Sequence, residues 1–221
     1  MIKISTTKEF QEVCPQFVGA AISATVQNAP TPPSLWKEIE DFCTELKETY
    51  TTESIKLHSG IDATRKAYKR FGKDPSRYRP ACEQLARRVL QGKVLYSVDT
   101  LVDLVNLVSL FCGYSTAALD RDKIVGDSLT LGIGQTEEPY EGIGRGVLNI
   151  EHLPVYRDAL GGVATPTSDN VRTMIASQTK QLVVLINAYD GNTELLEQSV
   201  LLTQRLLQEY AAAKDICVSY Y

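Results

Sequence analysis

Residues 98–112 read VDTLVDLVNLVSLFC. Apolar side chains occur on nearly every side of a 3.6-residue repeat, which is the pattern of a helix buried all round rather than one lying on a surface. The polar exceptions are ordered. At 100° per residue, Asp99, Asp103 and Asn106 fall within about 60° of one another, a narrow polar stripe on an otherwise greasy cylinder. Buried polar groups need partners, so something polar must face that stripe.

Outward from this helix the two halves of the chain differ in texture. Towards the amino terminus, residues 2–5 and 17–26 read as strands separated by a helical turn at 8–13. Ser34 is the expected N-cap of an amphipathic helix over 35–50, where Leu35, Ile39, Phe42, Leu46 and Tyr50 recur at three- and four-residue steps. A further helix spans 64–71 and ends at the turn Gly72-Lys73-Asp74-Pro75. Pro80 then starts one that Gly92 ends. Beyond Gly113 come short runs divided by Gly and Pro. Residues 114–119 read as a loop of small side chains, and 129–133, 147–150, 159–164 and 173–176 as strands. A buried strand at 182–188, a turn, a long amphipathic helix at 195–212 and a terminal strand at 216–220 complete the chain. No polar linker separates two cores, so the reading is a single α+β domain over 1–221, a mixed β-sheet flanked by helices that concentrate in the first half.

Composition excludes several classes. No apolar run approaches the ~20 residues of a membrane span, and the first residues lack an apolar signal core, so a cytoplasmic protein with no membrane association is expected. The five cysteines lie far apart and never in C-x-x-C spacing, which fits small apolar fillers rather than disulfides or zinc. His58 and His152 sit in no metal or nucleophile motif. The glycine pieces at 132–134, 142–146 and 161–162 lack the strand, G-x-G-x-x-G and helix order of a dinucleotide site, so no cofactor is expected and 142–146 reads as a hairpin turn. A metal held by Asp103, Asp120 and Asp122 is conceivable, but nothing in their spacing demands one.

Charge is uneven. The chain carries a net charge of −4, yet residues 65–93 hold ten of its 23 Lys and Arg against only Asp74 and Glu83. A tract of this kind attracts phosphate, or it is one or two helices with solvated basic faces.

Three stretches together, GKDPSRYRPACEQLARRVLQG (72–92), VDLVNLVS (102–109) and LDRDKIVG (119–126), resemble the B3/B4 domain of the phenylalanyl-tRNA synthetase beta subunit, and its free-standing relatives more closely. The likeness runs from about residue 60 to 190. In the synthetase this module hydrolyses tyrosine wrongly esterified to the tRNA for phenylalanine. The resemblance therefore implies a B3/B4-like fold and trans-acting hydrolysis of a mischarged aminoacyl-tRNA, with aminoacylated tRNA as partner. It implies Asn106 (in V-D-x-x-N) and Asp120 (ending H-A-F-D) as catalytic residues. Asp103, Ser115, Thr116, Ala117, Gly161, Gly162 and Ser177 are implied around the substrate, with Lys69, Arg70, Lys73, Arg77, Arg79 and Arg88 meeting RNA. Two positions depart from the family. Ala117 stands where it commonly has histidine, and no carboxylate falls near Ala176 or Ser177, where it has an acid. An activated ester can be hydrolysed without a side-chain base, by backbone amides and a positioned water helped by the neighbouring ribose hydroxyl. The alternatives are an inactive tRNA- or RNA-binding module on the same scaffold, and a hydrolase or binder of a free small molecule that resembles an amino acid. Within the basic tract, Arg79 and Arg87 have internal options in Glu83 or the Asp103 stripe.

Overall fold

The computed structural model describes residues 2–221. In chain order its elements are β1 (Lys3–Thr6), α1 (Lys8–Val13), β2 (Val18–Thr25), α2 (Pro33–Thr49), α3 (Ser59–Arg70), α4 (Ala81–Leu90), α5 (Thr100–Cys112), β3 (Thr116–Asp120), β4 (Ser128–Ile133), β5 (Glu141–Gly142), β6 (Gly146–Val147), β7 (Pro154–Arg157), β8 (Gly162–Ala164), β9 (Gln181–Ala188), α6 (Thr193–Tyr210) and β10 (Lys214–Tyr220). The α+β expectation holds, but its single mixed sheet becomes two. One four-stranded sheet is antiparallel throughout, in the order β10-β2-β9-β3. The other, β1-β4-β7-β8, is mixed because β1 runs parallel to β4. A small ribbon, β5-β6, stands apart.

The antiparallel sheet is the middle layer, and side-chain alternation explains how it serves two cores. On β9, Leu182, Val184, Ile186 and Ala188 face the helices, with Leu35 and Ile39 of α2, Leu101, Leu104 and Val108 of α5 and Val200 and Leu206 of α6. Val183 and Leu185 face the mixed sheet, with Leu129, Leu131, Tyr156 and Val163. Because both faces are covered, β9 is apolar without a break from Leu182 to Ile186, which is why it is legible in the sequence.

Helix α5 is as buried as its composition requires, and its ends are made locally. Asp99 caps it by accepting a hydrogen bond from the Val102 amide at 2.9 Å. Gly113 closes it in the left-handed region at φ 67°. A Cβ at Gly113 would run into the His58 ring. Gly113→Ala therefore meets both left-handed strain and a clash, and we expect a loss of roughly 2 kcal/mol or more in urea unfolding. A change under about 0.5 kcal/mol would show that the helix end yields freely.

Several local expectations need correction. Ser34 is not a cap: Pro32 occupies that position without a side-chain bond, and Pro33 begins the helix. A proline lacks the N–H that a cap would satisfy. The 64–71 helix begins earlier, at Ser59. Residues 116–119 of the presumed 114–119 loop belong to a strand, β3, because small side chains let α5 pack closely over the sheet edge. At 173–176 the chain makes a 3-10 turn over Val171–Thr173 and then a single bridge, Leu119 to Met174. Four cysteines are buried as expected, but Cys217 is exposed on β10. Among the described residues, no helix is long and apolar enough to cross a membrane.

Candidate functional site

A cavity of about 490 Å³ opens where the antiparallel sheet ends at β3. Helix α4 contributes Ala81, Gln84, Leu85 and Arg88, one helical face at steps of three and four. Helix α5 contributes Asn106 and Ser109, and β3 contributes Thr116. The far wall is the β5-β6 ribbon with Ile143 and Arg145, and the loop with Thr165, Thr167, Ser168 and Asp169. The volume is within the range of small-molecule sites.

The far wall is held by hydrogen bonds rather than by a core. The Ile143 amide donates to the Asp169 carbonyl at 2.9 Å, and Ser168 Oγ donates to the Ile143 carbonyl at 3.2 Å. Thr165 Oγ1 donates to the Ser168 carbonyl at 2.9 Å and accepts from the Thr167 and Ser168 amides. Beneath, Tyr140 donates to the Ser168 carbonyl at 2.7 Å and Tyr68 bonds to Thr167 Oγ1 at 2.8 Å. Arg145 donates to Gln84 Oε1, joining ribbon to α4. The 142–146 stretch is the hairpin turn expected from its glycines, and Gly144 and Gly146 take positive φ in it.

Asp169 is the distinctive group. Its Oδ2 accepts from the Ala118 amide at 3.2 Å, on the free edge of β3. Desolvation outweighs that one hydrogen bond and pushes its carboxyl up to about 7. A carboxyl poised near neutrality on a cavity wall, with Asn106 and two arginines also lining the hollow, marks a site able to take and return a proton. Sequence reasoning missed it. Asp169 is the sole acid between residues 159 and 189, so a search for a missing carboxylate along that segment would have reached it.

Of the residues singled out from the sequence, Asn106, Thr116 and Arg88 meet at this cavity. Alternation on β3 turns Thr116 to the helix side, where its Oγ1 donates to the Val105 carbonyl at 3.3 Å. It turns Ala117 into the core between the sheets. The rest lie elsewhere. Asp103, 1% exposed, accepts from Thr31 Oγ1, Ser97 Oγ and the Val98 amide. The polar partner demanded by the stripe is thus a loop and not an arginine. Asp120 is buried at the end of β3, accepting from Thr179 Oγ1 at 2.8 Å and the Asp122 amide at 3.2 Å, with Lys123 at 3.6 Å. Ser115 is buried, its Oγ on Cys82 Sγ and its carbonyl on Asn187. Gly161 donates its amide to Asp158 at 3.0 Å, and Gly162 is paired with Arg157 in the mixed sheet against the Tyr140 ring, so neither glycine lines the cavity. Ser177 is exposed on a separate hollow.

The basic tract divides. Glu83, fully buried, is surrounded by Arg65 at 2.7 Å, Arg87 at 2.9 Å and Arg79 at 3.5 Å. Lys73 is also buried, its Nζ donating to the Asn149 carbonyl at 3.0 Å and the Glu151 carbonyl and lying 3.8 Å over the Tyr78 ring. Arg79 and Lys73 are therefore structural anchors. Lys69, Arg70 and Arg77 face solvent.

What the fold and site define is an α+β domain with a polar, cation-flanked cavity at the open edge of its central sheet. The chain belongs to the B3/4 domain family, whose model matches residues 63–204. That match takes in α4, α5, β3, both loops of the far wall and Asp169. Among solved structures, the chain is similar to an N-terminal fragment of the phenylalanyl-tRNA synthetase beta-subunit from Pyrococcus horikoshii, at 12% identity and a TM-score of 0.47. The alignment covers 98% of this chain and 50% of that one, so the chain spans about half the length of that relative. Comparison with curated proteins gave no match.

Proposed function

We propose that this protein binds the aminoacylated end of a tRNA and hydrolyses the ester of a mischarged amino acid, acting in trans. The observation that carries the reading is Asp169, a carboxyl near neutrality on a cavity wall that Asn106 also lines. Family membership and the likeness of residues 72–126 to the synthetase editing domain supply the substrate class. A tRNA partner and a cytoplasmic setting belong to the same proposal.

The chemistry follows from the residues. The ionised Asp169 accepts a proton from a water as its oxygen attacks the ester carbonyl. The Asn106 amide donates to the developing oxyanion, an interaction stronger in the transition state than in the ground state. Collapse breaks the bond to the ribose oxygen, and Asp169 returns the proton to that leaving oxygen. The products are the free amino acid and a tRNA with its terminal hydroxyl restored. Arg88 and Arg145 supply positive charge at the mouth, Lys69, Arg70 and Arg77 supply it on the outer surface, and phosphate contacts of this kind make binding fall with salt.

The test is ester loss from a panel of mischarged tRNAs, with Asn106→Ala alongside. We expect loss above background for at least one pair and about a hundredfold slower reaction in the variant, the effect of removing one oxyanion donor. Equal rates in wild type, variant and buffer for every pair remove the enzyme. Retained tRNA binding in that case leaves the inactive RNA-binding module.

A further inference from the structure

The segment between α4 and α5 presents three large apolar side chains to solvent. Val94 is 75% exposed, Tyr96 74% and Val98 63%. Such a group needs a reason, because exposed apolar patches mark contact surfaces. Here the segment is also held rigid. At one end Arg88 Nε donates to the Val94 carbonyl at 2.8 Å, and at the other Asp103 accepts from Ser97 Oγ at 2.8 Å and the Val98 amide at 3.1 Å. Between the two anchors Tyr96 lies with the Arg88 guanidinium 4.0 Å from its ring centroid. One ring face is therefore backed by a planar cation, and the exposed remainder is open. The same Arg88 lines the cavity.

We infer that Tyr96, backed by Arg88, is a stacking platform for the terminal nucleobase of the RNA whose ester enters the cavity. The inference rests on the deacylase reading for its substrate, since ester and terminal base belong to one nucleoside and must bind next to each other. It goes beyond that reading by assigning a base-binding element that no resemblance supplied. An aromatic ring held in place before binding loses little conformational entropy when a base stacks on it. Stacking accepts any base, because every base has a π-face. Exposed Lys93 and Arg145 add positive charge for the backbone of a single strand. Asp103 becomes intelligible as a positioning residue: it fastens the platform rather than touching substrate.

The probe is an RNA hairpin whose single-stranded 3′ end terminates in 2-aminopurine, a fluorescent adenine analogue quenched by stacking. Wild type and Tyr96→Phe should bind it and quench it alike. Tyr96→Leu, which keeps apolar bulk but removes the π-face, should abolish quenching and weaken binding between about fivefold and a hundredfold. The residue is exposed, so folding is not at stake. Equal binding and quenching by wild type and Tyr96→Leu, or no binding by wild type, overturns the platform. Tyr96-dependent binding with no ester loss in wild type supports the platform and removes the deacylase. Ester loss with Tyr96-independent binding does the reverse.

Discussion

Asp169→Asn is expected to slow ester hydrolysis by 10²- to 10⁴-fold, the usual worth of a positioned acid-base group, while stabilising the fold above neutral pH. Both effects come from one cause. The carboxyl is desolvated on the cavity wall, with only the Ala118 amide donating to it, and this raises it from the ordinary 3.8 to about 7. Raised affinity for a proton in the folded state favours folding while the group stays protonated. That contribution is complete below about pH 4 and is lost as pH rises through 7. At pH 8 the ionised group costs on the order of 2–4 kcal/mol relative to a neutral isostere. The amide retains the acceptor for Ala118 and does not ionise. Thermal unfolding of both proteins between pH 4 and 8 should show a gap in favour of the variant that opens with pH and closes near pH 4. Hydrolysis by the wild type should rise with an apparent pKa near 7 that the variant lacks. A variant as active as wild type, or less stable at pH 8, would dismiss Asp169 as the base. The pairing of lost rate with gained stability is the mark of a group held in an unfavourable place for function.

Glu83→Ala should destabilise the protein by roughly 3–5 kcal/mol, because three guanidiniums share one buried carboxylate. Glu83 has no exposed surface, while Arg65, Arg79 and Arg87 keep only part of theirs. Removing the carboxylate leaves like charges packed together without a counter-ion. Arg65 also donates to the Pro75 carbonyl, so the cluster ties α3 to the turn before α4. Its loss should loosen the helix that carries Gln84, Leu85 and Arg88, and with it the near wall of the cavity. Urea unfolding gives the stability, and a loss under 1 kcal/mol would mean the arginines are adequately solvated. Glu83→Gln keeps the shape without the charge and should recover only a minor part.

The two cases separate what the sequence makes legible from what it does not. Helix α5, strand β9 and the amphipathic α2 announce themselves because burial on a known number of faces leaves a periodic trace. The pairing of Arg79 and Arg87 with Glu83 was available as an option because Glu83 and Arg87 lie one helical turn apart. The second sheet was only partly legible: β1, β4 and β8 overlap stretches that read as strands, but β7, which joins β4 to β8, has only four residues and no period to read. Strand β3 was hidden as well: its alanines suit a loop or a close crossing equally. For the site, Asn106 was legible from its place on a buried helix, and Thr116 and Arg88 from motif likeness. Asp120 and the Gly161-Gly162 turn were not separable from structural roles, because whether a carboxylate or an amide is free depends on partners far away in sequence. Asp169 is the converse case: its partner is a backbone amide on a strand that the sequence did not mark.

Strand β3 ends its sheet, and a bare strand edge invites pairing with other chains. Here the seam is closed by little more than the carboxylate on the Ala118 amide and the lone bridge from Leu119 to Met174. The group assigned to activate water thus also serves as a stopper on an adhesive margin. Any opening of the 165–169 loop wide enough to admit a bulky guest uncovers that margin for as long as the guest is absent, so selection for faster entry runs directly against selection for staying monodisperse.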